Sequence, residues 1–435
     1  MRKVISLALF FSGILAIILI LLPFFPKYQG ILIFLTVFLI GDLVLWYLIR
    51  NFIRQCGPVL RSSLKVLYWL PAVTLTTLVI FGFIIPFIYW NVSVRAVLLS
   101  LLLMTIVAKM IPLVVSLLTR LTGFLLMAIF KVRTAWMRWI DLSAWITGGM
   151  FWLILLLGMI TWVFYFNVLT VDFHSPKIPA SFNNFRIVQF SDVHLGNWTC
   201  RKKLAEAVDK INDLRPDLIV FTGDMFTFST AEGRGFDPLL RQLHARYGIY
   251  AILGNHDYGD YVKWSSPAAK SRNLEDLRSF YLKLDWKLLL NQSRVIRSGA
   301  DSINIIGVEN WGATRRFQRY GDIVKAESGI NKSCFSILLS HDPSYWDSVI
   351  CRKHPEIDLT LSGHTHGGQI GIESGNVRWS ILSWVNPLWG GLYIRNKTGF
   401  NSSLYVNRGL GTVGYAGRVG IRPEITLIIL HAIKK

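Results

Sequence analysis

Cysteine is scarce in this chain. Only Cys56, Cys200, Cys334 and Cys351 occur in 435 residues. None forms a C-x-x-C pair, and an odd number, three, follows residue 170. That pattern argues against a disulfide framework and against a thiolate zinc cluster. Negative charge is also scarce: 26 Asp and Glu face 46 Lys and Arg, for a formal net charge of +20. Beyond residue 170 the chain has no apolar run of membrane-spanning length. Apolar residues as a whole are abundant, at 52%. Nearly all of the excess lies before residue 170, which excludes an ordinary soluble protein and points to a membrane region followed by a globular domain. We place the two at 1–169 and 170–435.

A spanning helix needs about 20 mostly apolar residues. Residues 4–22, 30–48, 66–90, 96–118 and 144–169 meet that requirement, giving an all-α region of about five helices. Arg2 and Lys3 precede the first run like the start of a signal peptide. The run is long and no small-residue cleavage site follows, so it reads as a retained anchor. The run 121–130 is too short to span, and either extends the fourth helix or lies in the interface. Ten basic residues (Arg2, Lys3, Arg50, Arg54, Arg61, Lys65, Arg120, Lys131, Arg133, Arg138) fall in one set of loops. The opposite set carries Lys27 and Arg95. The positive-inside rule makes the first set cytoplasmic. Five spans then place the globular domain on the outer face of a plasma or inner membrane. Asp42 and Lys109 lie within spans, where ionisable residues are costly. They serve either a transport path or each other as partners.

From residue 171 onward there are 33 Lys and Arg against 24 Asp and Glu. A solvated surface accounts for this, and attraction to anionic lipid or phosphorylated substrates is the alternative. Short runs rich in Ile, Val and Leu at 186–190, 218–221, 249–253, 303–306, 335–339, 359–361, 404–406 and 425–430 read as buried strands. Between the first two, Leu204, Ala207, Val208, Ile211 and Leu214 recur at helical spacing. This strand–helix–strand opening implies an α/β domain. The excess of strands later in the chain implies a layered core of two sheets flanked by helices.

The polar residues that follow these strands are of a restricted kind. Ser191-Asp192-Val193-His194 follows the first, Thr222-Gly223-Asp224 the second, and Gly254-Asn255-His256-Asp257 the third. Ser340-His341-Asp342 and Gly363-His364-Thr365-His366-Gly367-Gly368 follow two later ones. Five of the nine histidines therefore sit at strand ends, where α/β folds gather ligands. Each histidine alone is most simply a solvated or core residue; five together indicate a metal site.

The set D-x-H, G-D, G-N-H-D, H and G-H-x-H resembles the signature of the calcineurin-like metallophosphoesterase superfamily. The resemblance runs from Phe185 to the C-terminus, and YVNRGLGT with RPEIT resembles its membrane-anchored branch, some of whose members act on nucleoside-diphosphate lipids. The resemblance implies a two-metal site. Asp192, His194 and His366 would hold one ion, and Asn255, His341 and His364 the other. Asp224 would bridge them, and His256 would be catalytic without being a ligand.

The residue types agree with that chemistry. Oxygen and imidazole donors without thiolate suit two divalent ions of Mn, Fe or Zn. Two carboxylates leave such a centre positive by about two before hydroxide binds, so it attracts phosphate. Residues two apart in an extended segment point the same way, which would let Asp192 and His194 converge. Glycines beside His364 and His366 permit a sharp turn and close backbone approach. One departure stands out. Many family members carry an acid three residues after the G-D aspartate, in support of the catalytic histidine. This chain has Thr227, whose hydroxyl can accept a hydrogen bond but cannot pair with an imidazolium. Val308-Glu309-Asn310-Trp311 ends a strand and either lines a cleft or forms a loop. Trp379, Trp384, Trp389 and Tyr393 fit either a membrane interface or a packed loop.

The resulting expectation is a membrane-anchored, metal-dependent hydrolase of phosphomonoester, phosphodiester or pyrophosphate bonds. Its substrate would be a phosphorylated small molecule or a lipid-linked one. The alternatives are a pyrophosphatase of nucleoside-diphosphate lipids and a membrane sensor that binds phosphorylated ligands without turnover. A nuclease is disfavoured, because an outer-face domain meets no obvious nucleic acid.

Overall fold

The computed structural model describes residues 29–130, 137–313, 319–375, 377–397 and 400–433. The apolar run 4–22 lies outside them. Four long apolar helices follow: α1 (Gln29–Gln55), α2 (Pro58–Ile84), α3 (Val92–Phe130) and α4 (Met137–Ile160). Each is long and apolar enough to cross a membrane. They correspond to the second to fifth runs read from the sequence. Helix α3 continues unbroken through 121–130, so that run extends its neighbour and makes no crossing of its own. At 1.5 Å per residue α3 is roughly 58 Å long, more than a bilayer core requires. The last run ends earlier than its composition suggests. Helix α4 stops at Ile160, and Asn167–Leu169 already belong to a strand whose backbone pairs with the C-terminal strand.

The chain divides into two compact units. The first takes in α1, α2 and Leu98–Leu156, and the second comprises Asn91–Val97 and the chain from Leu157 onward. Within the first unit, Lys109 Nζ lies 2.9 Å from Asp42 Oδ2 and also donates to the Tyr68 carbonyl. Tyr68 Oη in turn donates to the Asp42 carbonyl at 2.6 Å. The two charges satisfy each other, which accounts for both without a transport path.

The second unit is a sandwich of two six-stranded sheets. One has the order β1 (Asn167–Ser175), β14 (Glu424–Ala432), β2 (Phe185–Phe190), β3 (Leu218–Phe221), β4 (Ile249–Ala251), β5 (Lys287–Leu288). The other has the order β12 (Gly391–Lys397), β13 (Phe400–Val406), β9 (Leu359–Ser362), β8 (Ser336–Leu339), β7 (Asp301–Gly307), β6 (Gln292–Ser298). A separate hairpin pairs β10 (Gly371–Ser374) with β11 (Val377–Ser380).

Side chains alternate across each strand. Ile187, Leu218 and Val220 face Ile305, Ile337 and Leu361 in the core between the sheets. Val188, Phe190, Ile219 and Phe221 point outward, under α5 (Arg201–Asp213) and α6 (Pro267–Lys283). Leu204, Ala207, Val208 and Ile211 form the buried stripe of α5. The second sheet buries its outer face, Leu338, Leu404 and Val406, against Trp346 and Ile350. Parallel strands β2, β3 and β4 run side by side, as do β7, β8 and β9. Their C-terminal ends therefore come together, and the loops that follow them meet.

Candidate metal centre

All eight residues singled out in the sequence converge at those strand ends. Asp192, His194 and His366 place ligand atoms within 4.8 Å of one another, and so do Asp224, His341 and His364. His194 Nε2 lies 3.1 Å from His366 Nε2, and His366 Nε2 lies 3.3 Å from Asp192 Oδ1. In the second group His341 Nε2 lies 3.1 Å from Asn255 Oδ1 and 3.2 Å from His364 Nδ1. Asp224 Oδ2 belongs to both, at 3.6 Å from His194 Nε2 and 3.2 Å from His341 Nε2. Two imidazole nitrogens facing each other at about 3 Å repel unless a proton or a cation lies between them. Each group contains one such pair, so the donor set fits a metal ion.

The neighbours aim these atoms. His341 Nδ1 lies 2.7 Å from the Thr222 carbonyl, which keeps the proton on Nδ1 and frees the Nε2 lone pair. Asn255 Nδ2 donates to Tyr261 Oη at 2.7 Å, leaving Oδ1 toward His341. Asp224 Oδ1 accepts from the His256 backbone N–H, so Oδ2 is the oxygen left for the cluster. His256 Nε2 faces the cluster, because Nδ1 is held 2.8 Å from the Thr227 carbonyl. Tyr261 stacks on the His256 ring at 3.9 Å. The ligand atoms of His194, Asp224 and His256 also fall within 4.8 Å of one another, so His256 borders the centre.

One local expectation is overturned. Asp192 and His194 are not in an extended segment: their φ angles are 53° and 47°. Asp224, His364 and His366 are left-handed as well, at 59°, 72° and 51°. Convergence comes from tight turns, each tolerated because the surroundings fix it. Gly363 shows the crowding this produces. A Cβ there would sit 2.0 Å from Ser191 Oγ and 2.3 Å from Asp192 Oδ2. Gly367 supplies the turn between the two loop histidines and Gly368, at φ 57°.

Burial dominates the electrostatics. It pushes the Asp192 carboxyl up to about 6 and the His194 ring down to about 3. Burial works against a charged His341 as well, but the Asp224 and Asp192 carboxylates outweigh it and bring that ring to about 10. Without a cation, the centre can balance its carboxylates only by holding protons, and divalent ions would take that place.

Sequence reading missed several residues that hold the loops. The Asp257 carboxylate accepts from the N–H groups of Asp224, Met225, Phe226 and Gly254, tying two ligand loops together. Burial, with the Asp224 charge adding, pushes its carboxyl up to about 7. Arg418 is fully buried and donates to the carbonyls of His366, Arg408, Gly409 and Gly411. Glu232 accepts from the Thr227 and Phe228 N–H groups and pairs with Arg95, all within the second unit. The sequence motifs included Asp257, as the last residue of G-N-H-D, but gave it no role. Glu309 braces a loop, receiving Asn291 Nδ2 at 2.7 Å and Tyr258 Oη at 3.3 Å.

A family model described as calcineurin-like phosphoesterase matches residues 185–368, the stretch that holds every one of the eight. A Bacillus subtilis protein, "Uncharacterized metallophosphoesterase YkuE", is 32% identical over 264 residues, covering 59% of this chain and 83% of that protein. This chain belongs to the calcineurin-like phosphoesterase family. Among other family members, the Danio rerio "Transmembrane protein with metallophosphoesterase domain" is 33% identical over 269 residues. That match covers 61% of this chain and spans only 57% of the relative's length. The Chlamydia trachomatis "UDP-2,3-diacylglucosamine pyrophosphatase LpxG" is 30% identical over 305 residues, covering 59% of this chain and 89% of that protein.

Proposed function

We propose that this chain is a membrane-anchored hydrolase of phosphoric esters or anhydrides that works with two divalent metal ions. The observation that carries the reading is the shared carboxylate: Asp224 Oδ2 faces both donor groups. Asp192, His194 and His366 would hold one ion, and Asn255, His341 and His364 the other, with Asp224 between them. Manganese, iron and zinc all suit this donor set. When bound, such a pair of ions supplies Lewis acidity toward phosphate oxygens and a nucleophilic hydroxide near neutral pH.

The remaining work falls to the chain's own residues. His256 presents Nε2 toward the centre, where the protonated ring is positioned to donate a proton to the leaving oxygen or a hydrogen bond to a phosphoryl oxygen. The Thr227 carbonyl fixes its tautomer and Tyr261 its plane. Asp257 holds the loops bearing Asp224 and Asn255 in register.

The substrate is a phosphorylated small molecule or a lipid-linked phosphate or pyrophosphate. The membrane helices and the likeness to a diacylglucosamine pyrophosphatase support the lipid-linked class. The basic-loop asymmetry supports an outer-face domain. The deciding experiment measures metal content and hydrolysis of an aryl phosphate, then of a panel holding nucleotides and lipid-linked pyrophosphates. Two metals without any turnover would favour a phosphate-binding sensor instead.

A further inference from the structure

We infer that the β10–β11 hairpin and the turn after it form a second membrane contact, which seats in the lipid interface beside the metal centre. Three observations carry this. First, the surface is apolar where a soluble domain has no reason to be. Residues 379–394 contain no charged side chain. Trp384 and Val385 are 78% and 80% exposed, and Ile372 and Val377 are more than half exposed. These side chains adjoin one another. Ile372 lies opposite Trp379 in the ladder, Val377 shares their face, and the Trp379 and Trp384 rings meet edge-on at 5.6 Å. Tryptophan beside aliphatic residues at a surface is the pattern of a lipid interface.

Second, the hairpin grows out of the place where helix α4 ends. Arg418 N donates to the carbonyl of Gly158, in the last turn of α4. The next residue, Val419, receives the N–H of Gly371, the first residue of β10. All of these residues belong to the second unit. Two backbone hydrogen-bonding steps of about 5 Å each separate the hairpin from the end of a spanning helix, so the bilayer is within its reach. The bilayer is therefore the occupant argued from the chain itself.

Third, the hairpin is tied to the centre. Ser380 Oγ donates to the Gly367 carbonyl at 2.6 Å, one residue after His366. Thr365 Oγ1 donates to the Trp389 carbonyl at 2.7 Å. Trp389 itself is buried, so the aromatic stretch is divided: one end packs and the other faces outward. A hairpin resting at headgroup depth would hold the centre at the level of lipid phosphates.

This inference deepens the lipid-linked reading above, but its main test needs no turnover. The full chain, with Cys56, Cys200 and Cys334 replaced by serine and the buried Cys351 retained, is placed in nanodiscs of phosphatidylcholine and phosphatidylglycerol. Trp384→Cys carries a bimane label, and Leu282→Cys, an exposed position on α6, serves as the control. Label at 384 should be quenched by shallow doxyl lipids and shielded from iodide in water, with the opposite result at 282. Label at 384 that iodide reaches and doxyl lipid does not would overturn the inference. So would protection from both, which would mean that a second copy or another protein covers the patch. In a second arm, Trp384→Glu with Val385→Glu should raise KM at least tenfold for a bilayer-embedded substrate and leave kcat/KM for a soluble aryl phosphate within twofold. Equal loss on both substrates would make the hairpin a structural element only.

Discussion

His256 Nδ1 lies 2.8 Å from the backbone carbonyl oxygen of Thr227, while the Thr227 hydroxyl has no hydrogen-bond partner among the described residues. The support that the family resemblance would assign to an acid at this position comes here from the main chain. A carbonyl is an acceptor only, so it keeps a proton on Nδ1, and Nε2 meets the substrate as an acceptor in the neutral ring and as a donor in the imidazolium. Thr227→Val keeps that carbonyl. Its kcat/KM should stay within threefold of the parent and its pH profile should not move. A tenfold loss would show that the hydroxyl carries the support.

Asp224→Ala removes the one carboxylate common to both donor groups. Metal content, measured on purified protein, should fall at both sites and hydrolysis should be lost. The circular dichroism spectrum should remain native, since the residue lies in the loop after β3 and outside the apolar core. Retention of two ions per chain would refute the bridging role.

His256→Ala should retain both ions and lower kcat by ~10²–10⁴, the range for one positioned acid–base group. Loss of metal would place His256 among the ligands, a role its distance from His194 and Asp224 allows geometrically.

Arg95 and Glu232 form a buried pair, with both side chains at most 2% exposed. Removing one charge strands the other, at a typical cost of about 3–5 kcal/mol. Arg95→Ala should therefore lower Tm substantially. Because Glu232 also positions Thr227 N–H, kcat should fall more than KM rises. Arg95→Ala combined with Glu232→Gln should recover part of the Tm, because no unpaired charge remains. No recovery in the double variant would assign the loss to packing of the Arg95 stem.

Topology has its own test. Protease added to intact cells or spheroplasts should cut the domain after residue 170, and a reporter fused near Arg133 should be cytoplasmic. Protection of the domain until lysis would place it on the cytoplasmic side and redirect the substrate search to cytoplasmic lipid precursors.

The sequence by itself determined the two-part organisation, the two-sheet core and the candidate ligands. Those properties are written in composition, in apolar runs of strand and span length, and in short polar motifs at strand ends. Strand β1 was hidden because only Phe173 in it is fully buried and its apolar residues continue the run of α4; pairing with β14 makes it a strand. Only the tertiary structure decided which atoms face the centre. The left-handed turns at Asp192, His194, Asp224, His364 and His366 cost energy locally and persist because packed neighbours fix them, so no propensity announces them. The same holds for Asp257, Glu232 and Arg418. Their partners include backbone groups up to 52 residues away, in the case of Arg418 and the His366 carbonyl, and a backbone N–H or carbonyl has no sequence signature. Lys109 and Asp42 could be paired on paper because two charges in lipid have few other options. Thr227 could not be read in the same way, because its functional atom is a carbonyl that every residue possesses.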